Sequence, residues 1–265
     1  MTWSALIILI ILFLVTSAIG VVTGSNSLIT VPVMFQFGID EKEAIATNMF
    51  GLAFMSIGAT IPFVRAGKID VPKLAPLITL TLIGSAIGAL LVGLIEGNSL
   101  KVIVTAAMFA MVAFSLYPRK RPSDPIASGS NDVGYTGHRV PTGQYGLGVA
   151  ATFLLAVYGG LYSGGYVTVL TVVLVSLLGM TYSGAVAATK LINVFSSTIA
   201  TAIFMWQGLV NYKLGAILAI TMFIGAYLGA HFVNRVSETS IRRVFVGTVL
   251  LLAAKMIFDT LRTYS

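Results

Sequence analysis

The chain has 265 residues, contains no cysteine and has only two histidines. The absence of cysteine excludes disulfide bonds and thiol chemistry, and His138 and His231 have no companions at metal-ligand spacing. The sequence also contains neither an HExxH motif nor paired carboxylates inside apolar segments, which argues against an intramembrane enzyme. We therefore expect no metal, no cofactor and no catalytic residues.

Charge is also scarce, because 9% of the residues are charged and 57% are hydrophobic. This composition is typical of an integral membrane protein. The opening run "WSALIILIILFLVTSAIGVV" has no Lys or Arg before it and is followed by equally apolar runs, so we interpret it as a first membrane helix rather than a signal peptide. The net charge is +7. We expect the excess basic residues to lie at helix ends facing anionic lipid, so the charge does not indicate nucleic acid binding.

The two halves of the chain resemble each other when the sequence is shifted by roughly 141 residues. Gly20 and Gly24 then fall on Gly160 and Gly164, and after two single-residue slips "AIATN" (44–48) falls on "VAATK" (186–190). A stretch rich in Pro, Gly, Ser and charge separates the halves, as expected of a solvated connection. We predict a first membrane repeat at 1–117, a cytoplasmic linker at 118–145 and a second membrane repeat at 146–265.

Each half contains five apolar segments, and most are long enough to cross about 30 Å of hydrocarbon as helices. The second segment of each half is short, so it is either a tilted partial helix or one arm of a re-entrant hairpin. The predicted segments are 4–22, 26–38, 43–64, 74–95, 100–117, 146–162, 165–179, 184–206, 213–234 and 241–262.

The distribution of basic residues predicts how the segments are oriented. If all five segments of each half cross, the loops 65–73 and 235–243 and the linker lie on one side and hold most of the Lys and Arg. That side is then cytoplasmic. With five crossings in the first half, the second half has the opposite orientation in the membrane. If the short segments were re-entrant instead, the loop 235–243 with its three arginines would lie outside, against the distribution expected of basic residues. We predict an all-α integral protein of the inner (plasma) membrane with two inverted-topology repeats and short broken helices where they meet, a transporter architecture.

The two short segments begin at the breaks "GVVTGSNS" (20–27) and "GLYSGGYVT" (160–168). Hydroxyl, amide and glycine residues there could present free helix N–H groups and the positive end of the helix dipole to an anion. The alternative is that they only permit a tight break or close packing. The candidate residues are Ser25, Asn26, Ser27, Ser163, Gly164 and Gly165.

A second candidate is the pair "ATN" (46–48) and "ATK" (188–190). In the letter alignment Thr47 matches Thr189, and neutral Asn48 matches cationic Lys190. An intramembrane lysine is usually paired or lines a wet cavity, and Asn193 lies on the same helix face. The alternative is that Lys190 extends its stem to the membrane surface. We predict a substrate or counter-ion role for Thr47, Asn48, Thr189, Lys190 and Asn193.

Two further features are predicted to be structural. Gly84 with Gly88, and Gly225 with Gly229, are GxxxG pairs and indicate close helix packing. Lys255 lies near the end of an apolar segment, where its stem can reach the membrane surface.

The ordered motifs "GVVTGSNSLITVP", "AIATNMFGLAFMSIGATIPFVRAGKID", "GLYSGGYVTVL", "AATKLINVFSSTIATAIFMWQGLVNYKLGAIL" and "GAYLGAHFVNR" resemble the TauE/SafE family of sulfite exporters and related permeases. The resemblance implies secondary transport of small anions, mainly sulfite and organosulfonates such as sulfoacetate. Carried over by position, the polar motif residues that the resemblance implies are Thr47, Asn48, Thr189, Lys190 and Asn193 of this sequence. Where the family usually has a run of glycines after the first break, this chain has "GSNS", a departure that bears on pocket size and substrate.

From these observations we predict an exporter of a small anion, working by alternating access between the repeats. An anion channel and a proton-coupled uptake permease are the alternatives. The expected partners are a small anionic substrate and the lipid bilayer; the oligomeric state stays open, with a homodimer as one option.

Overall fold

A computed structural model of the chain describes residues 3–24, 26–65, 67, 69–116, 141–232, 246–256 and 258. Its regular elements are helices, as the composition predicts. They are α1 (Trp3–Thr23), α2 (Ser27–Gln36), α3 (Glu41–Arg65), α4 (Val71–Leu94), α5 (Gly97–Leu116), α6 (Thr142–Leu161), α7 (Tyr166–Ser176), α8 (Tyr182–Trp206), α9 (Tyr212–Phe232) and α10 (Val246–Met256). The predicted apolar segments coincide with these helices to within a few residues, apart from the last, of which only 246–256 and residue 258 are described.

Within the described residues, seven helices are long and apolar enough to cross a membrane: α1, α3, α4, α5, α6, α8 and α9. The predicted short segments are short helices, because α2 has 10 residues and α7 has 11. At 1.5 Å per residue each covers about 15 Å, roughly half the hydrocarbon thickness. Most of the predicted linker lies outside the described residues, and α6 begins at Thr142, four residues before the predicted start of the second half.

Among the described residues, glycines with left-handed backbone conformations recur at a constant interval. Those with positive φ form three pairs, and the separation along the chain is identical in all three: Gly24 with Gly165, Gly38 with Gly179, and Gly67 with Gly208. Only glycine adopts this conformation without strain, which accounts for its recurrence at the turns. The starts and the ends of α3 and α8 are separated by the same interval. We call this constant interval the repeat spacing.

The repeat spacing corrects the sequence alignment of the two halves. No slip is needed between Gly24 and Gly208, so Asn48 corresponds to Thr189, and Lys190 corresponds to Met49. The letters A-T-N and A-T-K favoured a shift of one residue, but such a shift would rotate side chains by about 100° around the helix. The predicted equivalences of Thr47 with Thr189 and of Asn48 with Lys190 are therefore wrong.

The fourth helix of each half packs against the other half. In α4, Gly84 lies against Ala156 and Phe153 of α6, and Gly88 lies against Val157. The two helices share a direction, since positions later in α4 meet positions later in α6. In the same way, α9 packs along α1, with Gly225 against Leu14 and Gly229 against Ala18. The predicted packing role of both GxxxG pairs is confirmed.

Further contacts fix the directions of the remaining long helices. Toward their ends, α4 and α8 are joined by Gln207 Nε2, which donates to the backbone oxygen of Leu90 at 3.3 Å. Near the starts of α3 and α9, the Asn211 backbone N–H donates to Thr47 Oγ1 at 3.0 Å. Lys42, near the start of α3, donates its Nζ to the backbone oxygen of Gly93, near the end of α4, at 2.9 Å, so α3 and α4 are antiparallel. Hence α1, α3 and α9 run one way and α4, α6 and α8 run the other. Since α1 and α3 are parallel, α2 carries the chain back between them.

Lys101, near the start of α5, forms an ion pair with Glu41 at the start of α3 at 2.6 Å, so α5 runs in the direction of α3. We call the membrane side on which α5 ends and α6 begins the linker side. From the helix directions, α4, α6 and α8 begin on the linker side. The ends of α3 and α9 also lie there. The starts of α3 and α9 lie on the opposite side.

Candidate functional site

The two chain breaks meet at the centre of the molecule. Ser27, the first residue of α2, and Ser163, just before α7, place their Oγ atoms 2.6 Å apart. Two tyrosines of the second half hold the breaks: Tyr162 donates its hydroxyl to the Ser27 carbonyl at 2.9 Å, and Tyr158 donates to the Gly164 carbonyl at 2.5 Å. The predicted convergence of the breaks is thus present in the structure.

Each half also has a polar contact between its short helix and the following long helix. In the first half, Thr30 donates to Asn48 Oδ1 at 2.7 Å, and Asn48 Nδ2 donates to Ser27 Oγ at 2.9 Å. In the second half, the hydroxyls of Thr171 and Thr189 lie 3.3 Å apart. The positions match at the repeat spacing, so Asn48 and Thr189 perform the same packing task, while Asn48 additionally reaches the break.

Lys190 lies deep in the protein. It is eight residues into α8, about 12 Å along the axis from the helix start, and only 6% of its surface is exposed. A lysine that reached the membrane surface would be exposed along its stem, so this placement rejects the alternative that it extends to the lipid headgroups. Within the described part of the chain, its ammonium group has no hydrogen bond and no ion pair.

The Lys190 side chain lines a small cavity between the two halves, which we call the central cavity. Its volume is about 20 Å³, and since one water needs roughly 10–15 Å³ by this measure, it has room for a water or two. Among the described residues, the lining includes no Asp or Glu. It consists of Gly20, Gly24, Asn26, Ser27, Leu52, Met55, Ser56, Ala59, Ser163, Val167, Lys190 and Asn193.

Polar groups from both halves therefore surround one unpaired cation. Asn193, one turn after Lys190, donates to Ser56 Oγ on α3 at 2.5 Å. Asn26 donates to Met55 Sδ at 3.5 Å, and its buried Oδ1 has no partner among the described residues. Hydroxyl and amide groups around a cation form a chemically suitable environment for an oxyanion.

Lys190 also lines a second cavity of about 80 Å³, which we call the vestibule. It extends from Lys190 to Tyr182 at the start of α8, on the linker side. Three threonines contribute to its wall. The lining residues are Val21, Gly24, Val167, Thr168, Thr171, Val172, Tyr182, Val186, Thr189 and Lys190.

The structure places the predicted site residues in different surroundings. Asn26, Ser27, Ser163, Lys190 and Asn193 line the central cavity, and Thr189 lines the vestibule. Asn48 lies behind Ser27 and positions it. Ser25 lies outside the described residues.

The remaining predicted residues have structural contacts. Thr47 accepts the Asn211 backbone N–H just before α9. Gly165, with φ 81°, occupies the residue before α7, and Gly164 supplies the carbonyl that Tyr158 binds. At the first break, Asn26 directly precedes α2, but its side chain makes no capping hydrogen bond. Asn26 therefore does not cap the helix with its side chain.

Sequence reasoning missed several residues that contribute to the site. Ser56 follows Asn48 by eight residues, which places both on one face of α3, and Thr30 matches Thr171 at the repeat spacing. These two signals could have identified them. Tyr158 and Tyr162 could not be identified, because in the sequence they are aromatic residues of an apolar segment like any others. Their hydrogen bonds depend on the path of the chain through the breaks.

Comparison with known proteins gives a consistent result. The family model described as "Sulfite exporter TauE/SafE" matches residues 8–256. No solved structure matches the chain.

Curated relatives cover nearly the whole chain. A probable membrane transporter protein, ORF9, of a Sinorhizobium species is 26% identical over 90% of this chain and 87% of its own length. A probable membrane transporter protein of Haemophilus influenzae is 25% identical over 92% and 91%, and YfcA of Escherichia coli, also a probable membrane transporter protein, is 26% identical over 90% and 84%. With the family match covering both halves, the chain belongs to the TauE/SafE family and is a multi-pass membrane transporter.

Proposed function

We propose that the protein exports a small anion, with sulfite or an organosulfonate such as sulfoacetate as the substrate class, by alternating access between two inverted repeats. The binding site is the central cavity, which must widen to admit the anion because its present volume of about 20 Å³ holds only a water or two. Lys190 supplies the positive charge, and Asn193, Asn26 and the two break serines orient the anion.

The observation that carries this proposal is the unpaired ammonium of Lys190. A charge at membrane depth is costly unless a partner or water compensates it, and the described residues provide no carboxylate for it. An anion bound in the central cavity would be its counter-ion. Charge-assisted hydrogen bonds of this kind contribute about 1.5–3 kcal/mol each.

Helix directions support the inverted arrangement. Corresponding helices of the two halves, such as α1 with α6 and α3 with α8, run in opposite directions, as they do around a two-fold axis in the membrane plane. Each fourth helix packs on the opposite half, so a rotation of one half relative to the other would alter the central cavity. Such a movement is the basis of alternating access.

The distribution of basic residues supports a linker side that faces the cytoplasm. The sequences 65–73, 117–141 and 233–245 begin at the ends of α3, α5 and α9 on that side and contain ten of the 16 Lys and Arg residues. Export from the cytoplasm needs little coupling, because an interior-negative potential favours anion exit by about 2.3 kcal/mol per charge per 100 mV.

The test compares two lysines that are both in apolar helices. Three purified proteins are compared: the wild type, Lys190→Gln and Lys255→Gln. Each is titrated with sulfite, sulfoacetate, sulfate and acetate. Lys255 is exposed on α10, so it is a matched control for the loss of charge. We expect Lys190→Gln to weaken binding about 30-fold, equivalent to about 2 kcal/mol, while Lys255→Gln binds as the wild type does. Absence of binding to the wild type, or equal binding to both variants, would contradict the proposal.

A channel is distinguished from a transporter in proteoliposomes. An alternating-access exporter gives saturable uptake of labelled anion against unlabelled anion inside, and this counterflow disappears in Lys190→Gln. Single-channel currents without counterflow would favour a passive pore.

A further inference from the structure

The vestibule has a counterpart in the first half, which the repeat spacing identifies. Vestibule residues Val186, Thr189 and Lys190 correspond to Ile45, Asn48 and Met49. If the molecule were symmetric, these residues would line an equivalent cavity that opens at the start of α3, on the opposite side of the membrane.

The counterpart region is packed shut. Ile45 is 1% exposed and Met49 is 2% exposed, and both belong to the main hydrophobic core. Thr30, the counterpart of Thr171, is fully buried and donates to Asn48. On the vestibule side, by contrast, Val186 and Val172 are partly exposed and Tyr182 is 42% exposed.

The difference also extends to the break residues. Thr168 in the vestibule wall is partly exposed, whereas its counterpart Ser27 is 1% exposed and is held by Asn48 and Ser163. Ser27 is thus at the centre of a hydrogen-bonded layer between Lys190 and the opposite side. Tyr162 closes the same layer by donating to the Ser27 carbonyl.

We propose that the vestibule is the aqueous access route to Lys190 from the linker side, and that the Thr30–Asn48–Ser27–Ser163 hydrogen-bonded layer is the closed gate toward the opposite side. The structure is therefore the state open to the linker side. The part of this proposal that concerns anion passage rests on the proposed function. The accessibility of the two routes does not, so it can be measured separately.

The absence of native cysteine makes the test direct, because single cysteines can be introduced without background labelling. Val186→Cys reports on the vestibule, and Ile45→Cys is its matched counterpart at the closed gate. Each variant is reconstituted in vesicles of known orientation and exposed from one side to a membrane-impermeant, anionic methanethiosulfonate reagent. We expect Val186→Cys to react from the linker side at least about tenfold faster than Ile45→Cys reacts from the opposite side.

The charge of Lys190 provides a second readout. A positive group at the end of the vestibule should make the anionic reagent react about tenfold faster at Val186→Cys than a cationic reagent of the same size. Adding Lys190→Gln should remove this preference while labelling continues.

The outcomes separate the two proposals. Labelling of Ile45→Cys as fast as Val186→Cys, or labelling of Val186→Cys only from the opposite side, would overturn the assignment of open and closed routes. One-sided labelling of Val186→Cys without anion binding in the titrations above would retain the access route and refute the proposed substrate. If Val186→Cys fails to react from either side, it is checked after detergent unfolding; if its cysteine then reacts, the vestibule route is closed and the inference is wrong.

Discussion

Gly88 of α4 offers a quantitative test of how the two halves are joined. A Cβ built on Gly88 would fall on the backbone oxygen of Val157 in α6 and close to the backbone nitrogen of Leu161. Because both atoms are main chain, no rotamer change can relieve the overlap, and Gly88→Ala must push the two helices apart. Overpacking of this kind costs about 1–3 kcal/mol. Since alanine gains about 1 kcal/mol in helix propensity, a cost at the upper end leaves a net loss of about 2 kcal/mol.

The control is Gly146→Ala on α6, where nothing lies within 4 Å of the new Cβ. It keeps the gain in helix propensity and avoids the overlap. Thermal unfolding in detergent, followed by the loss of the monodisperse protein peak, should rank Gly146→Ala at or above wild type and Gly88→Ala several degrees below it. Gly229→Ala, whose Cβ would overlap the backbone of Ala18 on α1, should behave like Gly88→Ala. If all three variants unfold at the same temperature, the close approach of the halves is not present.

Three further predictions concern the hydrogen bonds around the site. Tyr162→Phe leaves the Ser27 carbonyl without its buried donor and should lower the unfolding free energy by about 1 kcal/mol, measured as a shift in a denaturation midpoint. A double-mutant cycle of Ser27→Ala and Ser163→Ala should give a coupling of about 1 kcal/mol, and additive effects would show that the two hydroxyls do not interact. Thr47→Val removes the acceptor of the Asn211 N–H, so it should cost about 1 kcal/mol of stability without altering anion affinity; a loss of affinity instead would place Thr47 in the site.

The positions of the helices could be predicted from the sequence because a membrane imposes a simple rule of length and hydropathy. The glycine pairs were equally informative, since a GxxxG spacing on an apolar helix has few uses other than close packing. Glycine and serine clusters similarly indicated the two breaks. Each of these predictions depends on local sequence alone.

The partners of individual polar side chains could not be predicted in the same way. Whether Thr47 faces a cavity or a backbone N–H depends on where α9 begins relative to α3, a relation between segments that are distant in sequence. Lys190 illustrates a second limit. The presence of Asn193 on the same helix face indicated that Lys190 is buried. Its counterpart Met49 was missed because A-T-N, which ends one residue earlier at Asn48, resembles A-T-K.

The constant spacing of the three glycine pairs has a consequence for the energetics of transport. Because the turns of the two halves are in phase, the two routes can be compared side chain by side chain, and these side chains contribute to the preference for one state. The differing pairs include Met49 against Lys190, Asn48 against Thr189, Ile45 against Val186, and Ser27 against Thr168. Substitution at these positions is therefore a means of shifting the resting population from one side of the membrane to the other.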